Sequence, residues 1–283
     1  MSGRAASRYP LGVPTDLLVL LVSLIAGGFG SMVGIGGGLI VVPVLTTLLG
    51  YEITVAVPAS LIGVIAVSIG AAGPFLRAGT VDRALALRLL VATAAGGLAG
   101  GLAAAFLDAR ALAAAFALLL LYVALQMARP VRPRTGAIPT EDAAAHTRSY
   151  VEPVTGRRLG YTPRRVGVGA ALASVAGAVS GLLGVGGGVI NVPVMTLVMD
   201  VPMRVATTTS TFMLGATAAA SAIVYEAQGR LDPLLAAPVA LGVLAGARVG
   251  ARLSRRVPPA ALRAAFVVIA LWFAFQMTLK ALG

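Results

Sequence analysis

A block of thirteen residues occurs twice in this chain, 150 positions apart: GIGGGLIVVPVLT from Gly34 to Thr46 and GVGGGVINVPVMT from Gly184 to Thr196. Extended back to Ser31 and Gly181, the two windows are identical at 9 of 16 positions. The register then continues without a gap. Ser60 matches Ser210, Gly79 matches Gly229, Asp82 matches Asp232, Gly96 and Gly100 match Gly246 and Gly250, and Gln126 and Met127 match Gln276 and Met277. Chance does not hold one register over so long a stretch. The chain is two copies of one unit, 15–128 and 165–283, preceded by a tail at 1–14 and joined by a linker at 129–164. Whatever fold forms must be built twice, with a glycine cluster and a short apolar segment at equivalent places in each copy.

Those copies are too apolar for a soluble core. The chain is 58% hydrophobic and 11% charged, with a mean hydropathy of +0.95, whereas soluble domains are about 25% charged. The apolar stretches are long and numerous, which predicts a polytopic membrane protein. There is no cysteine, so disulfides, thiolate metal sites and cysteine catalysis are excluded. The net charge of +12 does not point to nucleic acid. The basic residues stand between apolar segments, as the positive-inside bias places them. Residues 1–28 resemble a signal peptide, with Arg4 and Arg8 before an apolar run, but that run aligns with 166–178 inside the second copy. It is therefore expected to be part of the membrane unit.

Each copy divides into five apolar segments: roughly 15–34, 37–50, 54–77, 84–107 and 110–128, then 165–184, 187–199, 204–228, 233–254 and 259–280. The second segment of each copy is about 13 residues, or roughly 20 Å of helix, against a hydrocarbon core about 30 Å thick. We expect 37–50 and 187–199 to be half-helices that enter only part way, tolerated where they are buried in protein or line a wet cavity. A re-entrant pair followed by three spans gives each copy an odd number of crossings and inverts the copies. Arg77, Arg83, Arg88, the linker arginines and Arg248, Arg252, Arg255 and Arg256 then share one side, with Arg4, Arg8, Arg110, Arg230 and Lys280 on the other. Four crossings per copy weaken that bias, whereas five full spans per copy would give the same orientation. The expected fold is an all-α polytopic membrane protein of two inverted five-segment repeats, each with a re-entrant or broken half-helix. Its linker is cytoplasmic and its termini lie outside. The linker reads as a solvated connector whose arginines set topology, and its His146 has no partner spacing for a metal.

The chemistry gathers at the triple glycines, Gly36, Gly37 and Gly38 and Gly186, Gly187 and Gly188. Glycine takes backbone angles closed to other residues and lets a ligand approach the main chain. The half-helix that follows begins with unpaired N–H groups and the positive end of its dipole, for which a buried anion is the natural partner. Two inverted copies aim two such termini at one point. By contrast, Gly96–Gly100, Gly97–Gly101, Gly242–Gly246 and Gly246–Gly250 fit the small-xxx-small pattern of helix packing. Such faces also offer a homodimer contact.

The third segments carry hydroxyls unequally. Thr207, Ser210, Thr217 and Ser221 fall on one face, against Val57, Ser60, Val67 and Ala71 in the first copy. Hydroxyls there either line a pathway or bond back to their own helix; the lining is expected for Ser60, Thr209 and Ser210. Asn191 replaces Val41 inside the second half-helix and needs partners if buried, so it joins the candidate contacts. Arg204 is a candidate for the inner mouth, or else pairs with Asp200 four residues earlier. No catalytic residue, metal ligand or cofactor site is expected; Glu52, Asp200, Arg204 and Glu226 stand near segment ends, and no carboxylate or histidine lies inside the bundle to carry a coupled proton.

The repeated element G-x-G-G-G-x-x-x-x-P, as Gly34-Ile35-Gly36-Gly37-Gly38 to Pro43 and Gly184-Val185-Gly186-Gly187-Gly188 to Pro193, resembles the sulfite exporter TauE/SafE family of membrane transporters. The segments VPASL and TTTST that follow are similar too, although Pro58 stands in the first where the second has Thr208. The resemblance implies a secondary transporter in the inner membrane of a bacterium. It implies export of small sulfur-containing anions such as sulfite, sulfonates or thiolates by alternating access. The motif does not choose the anion, and a channel or an importer of another small anion on the same fold stays open.

Overall fold

The structure, a computed structural model, describes residues 15–33, 37–128, 138–139, 148–151, 158–253 and 259–282. Gly36 and His146 lie outside them.

Every apolar segment folds as a helix. In the first copy these are α1 (Thr15–Val33), α2 (Gly38–Thr47), α3 (Ile53–Arg77), α4 (Arg83–Ala103) and α5 (Ala109–Ala128). In the second they are α6 (Val166–Leu183), α7 (Gly188–Pro193), α8 (Met203–Ala227), α9 (Pro233–Leu253) and α10 (Pro259–Leu282). Seven are long and apolar enough to cross a membrane. The hydroxyls from Thr207 to Thr211 lower the hydropathy of α8, which at 25 residues equals its counterpart α3 in length. The two short segments stay short. α2 has 10 residues, about 15 Å. α7 runs into a π-helical turn, Val194–Val198, directly after Pro193. Proline lacks the N–H that the α ladder needs, and here the ladder changes register at that residue.

The copies are interleaved. α1 packs along α9 and, reciprocally, α6 packs along α4; α3 meets α9 as α8 meets α4; α3 pairs with α8, and α5 with α10. Glycine makes the crossings possible. A methyl group on Gly96 or Gly100 would overlap the carbonyls of Ser174 and Ala178, and one on Gly177 or Gly181 those of Thr93 and Gly97. Gly242, Gly246 and Gly250 stand in the same way against the carbonyls of Leu20, Leu24 and Gly28. The small-residue faces thus bring backbones together inside one chain, as membrane packing favours.

Hydroxyls fasten the same contacts. Thr217 donates to Thr93 Oγ1 at 2.9 Å, Ser221 to the Gly97 carbonyl at 3.0 Å, and Ser68 to the Thr211 carbonyl at 2.8 Å. Thr207 bonds back to Met203. Three of the hydroxyls weighed as pathway lining, Thr207, Thr217 and Ser221, therefore serve helix structure.

The linker departs from the expected solvated connector, and from a wholly α chain. Its described parts form a small antiparallel sheet in the order β1–β3–β2, with β1 Ile138–Pro139, β2 Arg148–Val151 and β3 Arg158–Tyr161. Tyr150 pairs with Leu159 across it. Tyr150 and Tyr161 are buried in a cluster with Leu85 and Leu89 of α4, Val205 of α8 and Met199 beyond the π turn. Two aromatic rings on one sheet face hold the linker against the membrane unit by burying apolar area.

Candidate functional site

The glycine loops that open α2 and α7 have matching geometry. Gly37 caps α2 at φ 72° and Gly187 caps α7 at φ 71°, the left-handed region that L side chains avoid. Neither cap is closed by a side chain. The first bonds of α2 run from Ile40 and Val41 to the Gly37 carbonyl at 3.0 and 3.1 Å. Those of α7 run from Ile190 and Asn191 to the Gly187 carbonyl at 3.1 and 2.9 Å. The N–H groups of Gly38, Leu39, Gly188 and Val189 precede these bonds, where a helix leaves donors open.

The two loops touch. A Cβ on Gly38 would lie 2.7 Å from the Gly184 carbonyl oxygen and 3.3 Å from Val185 Cα. Gly37, Gly38, Gly186, Gly187 and Gly188 are all buried. Val64 of α3 and Leu214 of α8 close over Gly186.

Polar side chains at this junction divide into two groups. Ser60 Oγ lies 2.7 Å from both the Val57 and the Gly184 carbonyl oxygens, so this hydroxyl supports the second glycine loop from the first copy. Thr209 sits away from the loops and accepts from the Asp82 N–H at 3.0 Å. Asn191 and Ser210 are each 1% exposed, and neither Asn191 amide atom nor Ser210 Oγ has a hydrogen-bond partner. Ser180, fully buried on α6, is also without a partner. These three flank one loop. Ser180 Cβ would be 3.3 Å from a Cβ on Gly187, Ser210 Oγ 3.7 Å from one on Gly188, and Asn191 follows them by one helical turn. Buried polar groups in native proteins are nearly always satisfied, yet these three, beside one loop, have no hydrogen-bond partner. Sequence reasoning missed Ser180, although it stands where the first copy has Gly30.

Arg204 is exposed in the first turn of α8, and no ion pair joins it to Asp200. Nearby, the turn between α3 and α4 forms a cavity of about 420 Å³ lined by Gly79, Thr80, Asp82, Arg148, Tyr161 and Val205. Asp82 ties it together. Its carboxylate caps α4 through the Leu85 N–H at 2.9 Å, accepts from the Tyr161 hydroxyl at 2.9 Å, and pairs with Arg148. Burial, reinforced by the Asp82 carboxylate, pushes the Tyr161 hydroxyl above the ordinary tyrosine range. The equivalent turn of the second copy lines a cavity of about 380 Å³ with Thr54, Gly229, Arg230 and Asp232. There Asp232 is exposed, its carboxylate bonded to the Leu234 N–H at 2.9 Å, with none of the described linker strands over it. The linker sheet covers one of two repeat-equivalent turns.

Comparison with known proteins agrees with this architecture. The profile of the family described as Sulfite exporter TauE/SafE matches residues 19–277. The chain is 27% identical over 257 residues to a protein of Bacillus subtilis (strain 168) named "Probable membrane transporter protein YunE", an alignment covering 85% of this chain and 89% of that one. No solved structure matches.

Proposed function

This chain belongs to the sulfite exporter TauE/SafE family, and we propose that it exports small sulfur-containing anions, such as sulfite, sulfonates or thiolates, through a central site where its two broken segments meet. The observation that carries the reading is the junction itself. Two glycine-capped helices start against one another in a buried place, with open N–H donors and unpartnered Asn191 and Ser210 side chains beside them. A substrate anion supplies the missing acceptors, and no basic side chain is needed to hold it.

The copies are related by a two-fold axis in the membrane plane, with the linker in the cytoplasm. The reciprocal packing of α1 on α9 and α6 on α4 supports a two-fold relation, and the distribution of arginines supports the inversion. Movement of one copy against the other then exposes the site to each side in turn. The mouth at Asp82 opens to the cytoplasm and that at Asp232 to the outside.

The test is flux of sulfite from proteoliposomes. Gly187→Leu places a side chain at φ 71° against the Ala176 carbonyl and Ser180, and flux should vanish. Gly188→Ala adds one methyl at 3.3 Å from Leu214 and should fold normally yet slow transport. Undiminished flux from both folded variants refutes the central site.

A further inference from the structure

The three orphaned side chains at the junction all come from the second copy. Their first-copy equivalents are Gly30 for Ser180, Val41 for Asn191, and Ser60, whose hydroxyl is already bonded to protein. The polar half of the site is therefore one-sided, and Val64 of the first copy closes over it from α3. The other orphaned side-chain atoms among the described residues lie elsewhere. Ser23 packs beside Gly242 in the α1–α9 contact, and Gln228 Oε1 belongs to an amide that already donates to Gly101.

The inventory of unmet bonds specifies the ligand. Two serine hydroxyls and the Asn191 Nδ2 offer donors to acceptor oxygens. Asn191 Oδ1 is an acceptor and needs a donor, and it has none from the protein. No charge neutralises the ligand. α2, α6 and α7 carry no ionisable side chain. α8 has Arg204, Tyr225 and Glu226 in its end turns, α3 Arg77 in its last, and α4 Arg83 and Arg88 in its first two. α9 has Arg248 and Arg252 towards its end, and α1 Asp16 at its start. The cost of burying an ion without a counter-charge climbs steeply with its charge, so a dianion is rejected where a monoanion is accepted.

We propose that the site selects a small oxyacid as its singly protonated monoanion. The acceptor oxygens sit on Ser180, Ser210 and Asn191 Nδ2, and the remaining acid hydroxyl donates to Asn191 Oδ1. This rests on the central-site reading above and deepens it. The proton travels on the substrate, so no carrier residue is required. Asn191 is the specificity-determining residue and Ser180 is a binding residue.

The experiment measures binding to purified wild type, Asn191→Val, Ser180→Ala and Gly187→Leu by calorimetry and thermal shift. The probes are sulfite, which exchanges its last proton near neutral pH, and methanesulfonate, a monoanion that carries no acid hydroxyl. Above the acid's own pKa, sulfite affinity should fall about tenfold for each pH unit, while methanesulfonate affinity stays level and lower. Asn191→Val should lose about tenfold for sulfite and erase the difference between the probes. Its ligand-free Tm should rise, because an orphaned amide has been removed from the interior. Ser180→Ala should weaken both probes. Sulfite affinity that is flat or rises with pH, equal affinity for both probes in wild type, or a lowered Tm with unchanged binding in Asn191→Val overturns the proposal. If those failures accompany loss of binding in Gly187→Leu, the central site survives and only the protonated ligand falls. If neither probe binds wild type, or Gly187→Leu binds as wild type does, the central-site reading falls with it.

Discussion

The repeat gives the chain an internal control for the linker contact. Asp82 and Asp232 occupy the same position in the two copies and both bond the N–H of an early residue in the following helix, but only Asp82 is held by the linker. Asp82→Ala removes a helix cap, worth about 1 kcal/mol. It also leaves the buried Tyr161 hydroxyl without its acceptor, which costs about 1–3 kcal/mol. Arg148 is 21% exposed and can turn to water, so loss of its ion pair adds at most about 1 kcal/mol. The sum is about 2–5 kcal/mol. Asp232→Ala, at an exposed position, costs only its cap, about 0.5–1 kcal/mol. Equilibrium unfolding in mixed detergent and dodecyl sulfate micelles measures both. Asp82→Asn should recover most of the loss, since its amide oxygen still accepts from the Leu85 N–H and its amide N–H can donate to the Tyr161 hydroxyl oxygen. In the Asp82→Ala background Tyr161→Phe should cost almost nothing further, because the two are coupled. Equal destabilisation by Asp82→Ala and Asp232→Ala would refute the docking argument.

Other outcomes follow from the same geometry. Gly100→Ala, whose methyl would overlap the Ala178 carbonyl, should destabilise by about 1–3 kcal/mol or more, while Gly167→Ala, which meets nothing within 4 Å, should be neutral; thermal unfolding compares them. The Tyr161 pKa is raised in the fold, so its contribution is complete below the unfolded value of about 10 and declines as pH rises beyond it. Tyr161→Phe should flatten that alkaline loss in a Tm-against-pH series. Transport should be electrogenic, because the moving anion meets no buried counter-ion; flux in proteoliposomes under a potassium–valinomycin clamp should rise with inside-negative potential, at about 2.3 kcal/mol per charge per 100 mV. Flux indifferent to potential would refute it.

Much of this fold is written in the sequence because membranes narrow the choices. Helix is the one spanning structure open to these segments, and the glycine block with its short apolar run announces where α2 and α7 begin to within one residue. What lies beyond reach is rotation. Thr209 and Ser210 are neighbours, but one turns to Asp82 and the other to the Gly188 loop. About 100° of helix separates them, and only the packing of α8 fixes which faces where. Ser60 and Ser210 share a repeat position, and their fates diverge because the Gly184 carbonyl stands opposite one of them. The linker sheet was hidden for a related reason. Tyr150 and Tyr161 lie in a polar, proline-interrupted stretch, and what orders them is a surface made by α4 and α8.

The reciprocal packing sets a timetable for biogenesis. α6 finds its partner α4 already in the bilayer when it emerges. α1 does not, because its partner α9 starts at Pro233, about 200 residues after α1 ends at Val33. At about 5–20 residues per second, α1 waits on the order of 10–40 s with its glycine stripe facing lipid. Until α9 arrives, the first copy cannot complete its own packing. The nascent chain therefore passes through an insertion intermediate in which one half is threaded but unassembled, and that interval is when membrane quality control and insertion chaperones have access to it.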